Sequence, residues 1–228
     1  MKISVIIPAF NEEFSIGKVI ADIPKGLVQT IIVVDNGSTD RTAEAARIAG
    51  ARVVEEIHQG YGYACLAGIS AVSAPDIVVF LDADYSDYPS EMSLLVQPIL
   101  NDEADLVIGS RIRGIREKDA LLPQARFGNA LATLLIKLLF GVNYTDLGPF
   151  RAIRYEQLIE MDMQDKTFGW TVEMQVKAAK MGIRICEVPV SYRKRIGESK
   201  ITGTVKGTIN AGYKILMTIF RHSLSKGR

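Results

Sequence analysis

The stretch that decides the fold reads Ile77-Val78-Val79-Phe80-Leu81-Asp82-Ala83-Asp84. It is an apolar run of strand length that ends in two carboxylates one residue apart. A continuous apolar run is typical of a strand buried inside a parallel sheet. Open α/β sheets bind ligands outside the carboxyl ends of their strands, so the two acids are expected where a ligand binds.

The spacing of Asp82 and Asp84 places both side chains on the same side of an extended segment. Their hard carboxylate oxygens suit Mg²⁺ or Mn²⁺, so the pair predicts a divalent metal site. An acidic turn after a strand would have the same sequence, and short acidic motifs recur by accident. The rest of the chain has to decide between these two interpretations.

Length and composition describe an ordinary globular chain. It has 228 residues, of which 48% are hydrophobic and 23% charged, and this is enough for a sizeable core. A net charge of +1 gives no general attraction to nucleic acid. Cys65 and Cys186 form no disulfide framework and no paired metal-ligand spacing, which favours a reducing, cytoplasmic setting. The longest apolar stretch, residues 130–142, is shorter than the roughly 20 residues that span a bilayer.

Strand-length apolar runs alternate with helical patterns in the first half of the chain. This alternation predicts an α/β fold with a mainly parallel sheet, and right-handed crossovers put helices on both of its faces. Strands are expected at 3–7, 30–34, 52–54, 77–81 and 105–108, and helices near Asn11, at 43–49, at 60–72 and after Pro89.

The pattern changes after Arg111. A charged loop at 113–118 precedes expected helices at 125–140 and 171–180. Strands are then expected at 184–188 and 190–192, and a last helix at 204–222. No repeat or low-complexity linker divides the chain, so a single domain is expected.

Several motifs follow one another along the sequence. They are Val5-Ile6-Ile7-Pro8-Ala9-Phe10-Asn11-Glu12, Asp35-Asn36-Gly37-Ser38-Thr39-Asp40-Arg41-Thr42, Gly60-Tyr61-Gly62-Tyr63-Ala64, Asp82-Ala83-Asp84, Gly109-Ser110-Arg111, and the turn at 146–151. In this order they resemble the motifs of family 2 glycosyltransferases of the GT-A (Rossmann-like) fold, over about residues 3–203. Phe10 stands where tyrosine is common in that family.

The resemblance implies a nucleotide-sugar donor held with a divalent metal. Asp82 and Asp84 would be the metal ligands, and Asp84 would act in catalysis through the metal. Asp35 would contact the nucleobase or, alternatively, cap the next helix. Gly60 and Gly62 would admit the ligand or merely allow a tight turn. The residues expected to bind the donor and its metal are Pro8, Ala9, Phe10, Glu12, Asp35, Gly60, Gly62, Asp82, Ala83, Asp84 and Arg111.

The glycine-rich turn is not a dinucleotide fingerprint. Cys65 stands where the pattern G-x-G-x-x-G requires its third glycine. A nicotinamide-dependent dehydrogenase is therefore not expected.

A basic loop, Arg195-Ile196-Gly197-Glu198-Ser199-Lys200, is similar to a loop of the dolichyl- or polyprenyl-phosphate sugar transferases. In that branch an arginine precedes the glycine of a Gly-x-Ser-Lys loop by three positions, whereas Arg195 precedes Gly197 by two. The phosphate role is therefore open between Arg193, Lys194 and Arg195. Contacts to an acceptor phosphate are expected from Arg126, Arg151, Arg193, Arg195, Ser199 and Lys200.

The acceptor decides whether a general base is needed. A lipid phosphate is already anionic and needs little or no base, whereas a hydroxyl acceptor must lose a proton to a carboxylate. Asp146 is the first candidate for this catalytic base and Glu173 the second, and each has a structural role as its alternative.

The expected function is transfer of a glucose- or mannose-type hexose from UDP- or GDP-sugar to polyprenyl or dolichyl phosphate, with inversion, at the cytoplasmic membrane face. The alternatives are a soluble or glycan hydroxyl acceptor and a non-catalytic nucleotide-sugar-binding protein. On this view residues 1–111 bind the nucleotide sugar, 112–202 form the acceptor side, and 203–228 form a C-terminal amphipathic helix.

The last helix has an apolar face that includes Val205, Ile209, Leu216 and Phe220. Such a face can rest on an anionic membrane surface, and the apolar helix at 130–140 poses the same choice. The family resemblance implies membrane-surface or lipid contact for at least one of these two helices. The alternatives are packing on the domain itself, on a second copy of the chain or on a membrane-anchored partner.

Overall fold

The computed structural model describes residues 1–197 and 205–224, except the side chains of residues 205, 206 and 208. Ser199 and Lys200, expected to contact the acceptor phosphate, lie outside the described residues, as does the side chain of Val205. Within the described part, the strands of the sheet are β1 (Ile3–Ala9), β2 (Thr30–Asp35), β3 (Arg52–Glu55), β4 (Ile77–Phe80), β5 (Leu106–Ser110), β6 (Arg151–Arg154) and β7 (Ile185–Pro189).

The strands form one sheet in the order β3-β2-β1-β4-β6-β5-β7. Central β1 pairs in parallel with both β2 and β4, with Val5 opposite Val79. β7 runs parallel to β5, and β6 is antiparallel to both β4 and β5. The expected mainly parallel sheet is confirmed, with β6 as its exception.

Helices cover both faces of the sheet, as expected. One buried cluster joins Val5 and Ile7 to the first, second and fourth helices, and the other joins Ile6 and Phe80 to the remaining ones. The described helices are α1 (Ile16–Asp22), α2 (Thr42–Ile48), α3 (Tyr61–Ala71), α4 (Met92–Leu100), α5 (Pro123–Phe140), α6 (Tyr155–Glu160), α7 (Trp170–Met181) and α8 (Val205–Leu224), with a 3₁₀ turn at Pro89–Glu91.

Four elements differ from the expectations. The first helix begins at Ile16 instead of near Asn11, which adopts a left-handed conformation with φ of 53°. The segment 190–192 is not a strand: Tyr192 forms only isolated bridges, to Asp87 and Arg116. β6 and α6 were not predicted, because short elements flanked by charged residues carry little periodicity.

Helix α8 turns one face inward and one outward. Thr218 and Ile219 are buried, whereas Ile209 and Phe220, which the sequence placed on its apolar face, are exposed. None of the helices in residues 1–197 and 205–224 is both long and apolar enough to cross a membrane.

Helix α3 packs tightly on the sheet because Gly68 has no side chain. A Cβ atom at Gly68 would lie 2.4 Å from Cγ2 of Ile6, on central strand β1. Gly128, inside α5, offers a matched contrast, since a Cβ there would meet nothing within 4 Å.

We expect Gly68→Ala to destabilise the fold by about 1–3 kcal/mol, because a methyl group must be forced against the sheet. Gly128→Ala should stabilise it by about 0.5–1 kcal/mol, because alanine favours a helix over glycine. Urea unfolding of both variants measures this, and equal effects of the two substitutions would contradict the packing described.

Candidate active site

A cavity of about 500 Å³ opens at the carboxyl ends of β1 and β4. We call it the strand-end cavity. Its wall is formed by Pro8, Ala9, Phe10, Glu12, Asn36, Gln59, Gly60, Tyr61, Ala64, Asp82, Ala83, Asp84, Thr167, Phe168 and Arg195. Most of the residues expected to bind a donor therefore lie in one cavity; Asp35, Gly62 and Arg111 do not line it.

The turn after β1 is held by side chains of the turn after β2. Backbone N–H groups of Asn11 and Glu12 donate to Ser38 Oγ at 3.0 Å and Thr42 Oγ1 at 2.7 Å. These bonds use amides that a helix would otherwise leave unpaired at its start. They hold this turn beside the cavity that Glu12 lines. Helix α1 begins later because Asn11 has a φ of 53°, which an α-helix does not accommodate.

The acidic pair shares this cavity. Asp84 Oδ1 accepts hydrogen bonds from the backbone N–H of Ser86 at 2.9 Å and from the Ser86 hydroxyl at 2.5 Å. Asp82 Oδ1 is buried and has no hydrogen-bond partner among the described residues. Burial, and then the charge of Asp84, raises the pKa of Asp82 to about 7. An orphaned oxygen in a crowded acidic site fits a cation ligand.

Arg195 lies against these acids. Its Nη2 is 2.7 Å from Glu12 Oε1 and its Nη1 is 3.1 Å from Asp84 Oδ2. The neighbouring cations face elsewhere: Arg193 stacks on Tyr85, 3.3 Å from the ring centroid, and Lys194 is exposed. Of the three candidates for the phosphate role, Arg195 is the one that lines the cavity.

The glycine-rich turn packs on the loop before α7. A Cβ at Gly60 would lie 2.3 Å from the Lys166 carbonyl oxygen, and one at Gly62 would lie 2.0 Å from the Asp165 carbonyl oxygen. Gly60 also borders the cavity, whereas Gly62 serves this close approach of two backbones.

Glu173 holds the same loop, the one before α7, through hydrogen bonds to its backbone. Its carboxylate accepts the backbone N–H groups of Gln164 at 3.0 Å and Asp165 at 2.7 Å, and pairs with Lys177 at 2.9 Å. It is buried and does not line the cavity. Through these contacts it positions Thr167 and Phe168, which do line it.

Asp146 forms a buried ion pair with Arg111. Nε and Nη2 of Arg111 each donate at 2.8 Å to a different oxygen of Asp146. Asp146 has no exposed surface. In this arrangement Asp146 orients Arg111 instead of facing the cavity.

Arg126 and Arg151, expected to contact an acceptor phosphate, and Asp35, expected to contact the nucleobase, do not line the cavity. Arg151 is buried and donates to backbone carbonyls, including Thr171 O at 3.0 Å. Arg126 lines a different groove of about 710 Å³ along α5. Asp35 accepts a hydrogen bond from the Ser38 backbone N–H at 3.2 Å.

Several cavity residues were not predicted from the sequence. The Asn36 amide donates to His58 O at 2.7 Å and accepts from Gly60 N at 2.7 Å, so it joins two walls of the cavity. It stands inside a quoted motif, so that motif was its signal. Thr167 and Phe168 reach the cavity through the packing of α7 and had no local signal.

Asp87 is a buried acid near the pair that sequence reasoning missed. Both of its carboxylate oxygens are buried, and neither has a hydrogen-bond partner in the part of the chain that the structure describes. Burial raises the pKa of Asp87 well above its usual value, and the charge of Asp82 raises it further. Asp87 therefore keeps its proton to a higher pH than an exposed aspartate does.

Fold and cavity together define an α/β protein that binds a ligand where acidic residues end its central strands. The chain belongs to glycosyl transferase family 2, whose family model matches residues 4–161. It is therefore a glycosyltransferase, and its sheet and helices form the GT-A fold.

Named relatives are similar over most of the chain. It is 38% identical over 204 residues to a dolichyl-phosphate hexose transferase of Haloferax volcanii, covering 87% of this chain and 86% of the relative. It is 32% identical over 222 residues to an undecaprenyl-phosphate mannosyltransferase of Micrococcus luteus, covering 91% and 90%.

A solved structure is similar over nearly the whole of this chain. Glucosyl-3-phosphoglycerate synthase from Mycobacterium tuberculosis, in complex with Mn²⁺, UDP and phosphoglyceric acid, superposes with a TM-score of 0.77. Sequence identity is 26%, and the match covers 99% of this chain and 79% of that chain.

We expect Asp87→Asn to raise thermal stability relative to wild type by an amount that grows as pH rises from 5 to 8. Above the unfolded pKa of about 4 the unfolded chain releases the Asp87 proton while the folded protein, with its raised pKa, keeps it, so wild-type stability falls as pH rises; asparagine cannot ionise. Melting temperatures of both proteins in EDTA measure the difference. A difference that shrinks with rising pH would show that Asp87 is charged and stabilised in the fold.

Proposed function

We propose that this glycosyltransferase moves a hexose from UDP- or GDP-sugar to a polyprenyl phosphate, with inversion and with Mg²⁺ or Mn²⁺ bound. The observation that carries the proposal is the shared position of Asp82, Asp84, Glu12 and Arg195 on one cavity. Acids for a cation and a guanidinium for phosphate are what a nucleoside diphosphate requires.

Asp82 and Asp84 are the residues that would hold the cation. Among the described residues no three His, Cys, Asp or Glu side chains gather into a metal site of their own. Mg²⁺ is commonly held by one or two carboxylates together with substrate phosphates and water. A two-carboxylate site therefore suits a metal that arrives with the donor diphosphate. When bound, the cation offsets the negative charge that develops on the leaving diphosphate.

The named relatives support a metal and a nucleotide sugar. The mycobacterial synthase has been solved with Mn²⁺ and UDP, and also with Mn²⁺, UDP-glucose and phosphoglyceric acid. The residues that would bind these ligands here are the walls of the strand-end cavity. Arg195 would contact phosphate oxygens, since its planar guanidinium matches them with two parallel donors.

The contacts made by the two candidate catalytic bases, Asp146 and Glu173, support a phosphate acceptor. Asp146 is tied to Arg111 and Glu173 to backbone amides, so neither carboxylate is directed at the cavity. A hydroxyl acceptor would require one of them to accept its proton, whereas an anionic phosphate oxygen does not. The two relatives act on dolichyl and undecaprenyl phosphate by name, which supports the same acceptor class.

Exposed apolar side chains support contact with a lipid surface. On α8 they recur about every four residues, which places them on one stripe of the helix. Exposed apolar patches of this kind mark interaction sites, and a membrane would bring the enzyme to a lipid acceptor. Among the described side chains, the large exposed apolar residues of the two helices are Phe127, Leu134, Leu138 and Leu139 on α5, and Ile209, Tyr213, Met217, Phe220 and Leu224 on α8.

A soluble acceptor is the second candidate function. It is favoured by the similarity to the phosphoglycerate-bound synthase, whose match extends over 99% of this chain. Phosphoglyceric acid also carries a phosphate, so the acceptor would be anionic in either case. The two candidates differ in the atom that attacks the sugar.

The test is a panel of UDP-glucose and GDP-mannose with Mn²⁺ or Mg²⁺ and three acceptors: a short polyprenyl phosphate in vesicles, the same polyprenol without phosphate, and phosphoglycerate. We expect transfer to the polyprenyl phosphate alone. Transfer to phosphoglycerate alone would establish the second candidate, and a donor left intact in every arm would contradict both.

We expect Asp84→Asn to lower the transfer rate by roughly 100-fold or more, because loss of a metal ligand removes several kcal/mol of transition-state stabilisation. Asp119→Asn is the matched control: Asp119 is exposed, and its φ of 64° also suits asparagine. Equal rates for the two variants would remove Asp84 from the mechanism.

A further inference from the structure

Arg195 bridges two carboxylates that are themselves almost fully buried. The side chains of Glu12 and Asp84 are 8% and 10% exposed, and that of Arg195 is 27% exposed. Within residues 1–197 and 205–224, the buried Nε of Arg195 has no hydrogen-bond partner. The two terminal nitrogens of the guanidinium therefore both contact carboxylates. Water screens these two ion pairs less than it screens an ordinary surface ion pair.

The backbone that carries Arg195 is fixed on both sides. Arg193 N donates to Ser86 O and Ile196 N donates to Asp84 O, each at 2.9 Å. The Arg193 guanidinium is further held between Tyr85 and Tyr88. The Arg195 side chain can therefore leave the two carboxylates by rotating about its own bonds, while the backbone of residues 193–196 stays in place.

We propose that Arg195 is a displaceable counter-ion: it occupies Asp84 and Glu12 while no metal is bound, and it moves onto diphosphate oxygens when donor and metal enter together. This inference rests on the metal site of the proposed function and concerns how that site is loaded. Arginine cannot lose its proton in a protein, so it vacates the acids only by moving.

The Arg195 guanidinium and a metal cation cannot both bind Asp84 without repelling each other. A dication bound by Asp84 would lie within a few ångströms of the Arg195 guanidinium, where like charges repel strongly in a partly desolvated site. A metal ion that binds alone must therefore displace the Arg195 guanidinium from Asp84, and the guanidinium then has no anion to pair with. A nucleoside diphosphate supplies that partner, and it also adds oxygen ligands to the metal.

The consequence is coupled binding. Mn²⁺ should bind weakly by itself and much more tightly with UDP, and the coupling must be reciprocal, so Mn²⁺ tightens UDP by the same factor. Part of this coupling should come from Arg195. Removing the guanidinium should strengthen binding of Mn²⁺ alone and reduce the additional gain from UDP.

The experiment measures Mn²⁺ dissociation constants by electron paramagnetic resonance, with and without UDP, on the full chain. For Arg195→Gln we expect Mn²⁺ alone to bind about fivefold or more tighter than wild type, and the gain from UDP to fall by a similar factor. Lys194→Gln makes the same change of net charge on the same segment, but the Lys194 side chain is exposed and outside the cavity lining. It should bind Mn²⁺ as wild type does.

Unchanged or weaker binding of Mn²⁺ alone to Arg195→Gln would overturn the proposal, as would an equal effect of Lys194→Gln. Should the glutamine variant not fold, Arg195→Lys decides instead, because a lysine ammonium cannot span both acids as the guanidinium fork does. It should also bind Mn²⁺ more tightly than wild type, and equal or weaker binding contradicts the proposal.

Failure of this proposal is separable from failure of the proposed transfer. Sugar transfer to the lipid phosphate with no gain in Mn²⁺ affinity in the variant would refute the counter-ion and leave the function intact. Tighter Mn²⁺ binding without transfer to any acceptor would refute the function and leave the counter-ion.

Discussion

Charge neutralisation at the end of β4 is the constraint on which the rest of this site depends. The sheet brings Asp82, Asp84 and Glu12 to one cavity, where water is partly excluded and like charges repel. The protein meets that constraint with the guanidinium of Arg195 and with a raised pKa at Asp82. A site in this condition is prepared for a cation and for an anionic ligand that accompanies it.

The surrounding acids and arginines divide into those that face the cavity and those that build its walls. Arg111 and Asp146 satisfy each other in a buried bidentate pair, and Glu173 holds the loop that carries Thr167 and Phe168. A buried ion pair contributes little net stability, but its loss would leave an unpaired charge in the interior. Some charged residues next to the cavity, such as Asp146 and Glu173, therefore hold other residues in place and do not face the cavity themselves.

The sequence was most informative where the signal was local. The apolar run before Asp82 predicted a buried strand, which the structure confirms as β4, and Asp82 and Asp84 both line the cavity at its end. The first-strand motif likewise led to cavity residues such as Glu12. These inferences needed only strand geometry and the rule that ligands bind at strand ends.

What could not be predicted depends on long-range packing. Antiparallel β6 lies between β4 and β5, so Arg151 at its start becomes buried and bonds to carbonyls, a position that no local pattern indicates. Contacts distant in sequence likewise separate Arg193 from Arg195: Tyr85 stacks on the former, and Glu12 pairs with the latter. Charge and spacing alone treat these two arginines as equivalent.

The metal position can be measured most directly by anomalous diffraction from crystals grown with Mn²⁺ and UDP. The account predicts a manganese peak in the strand-end cavity, about 2–2.5 Å from a carboxylate oxygen of Asp84. A UDP-bound crystal with no manganese at Asp84, or with manganese at some other group of residues, would contradict the account.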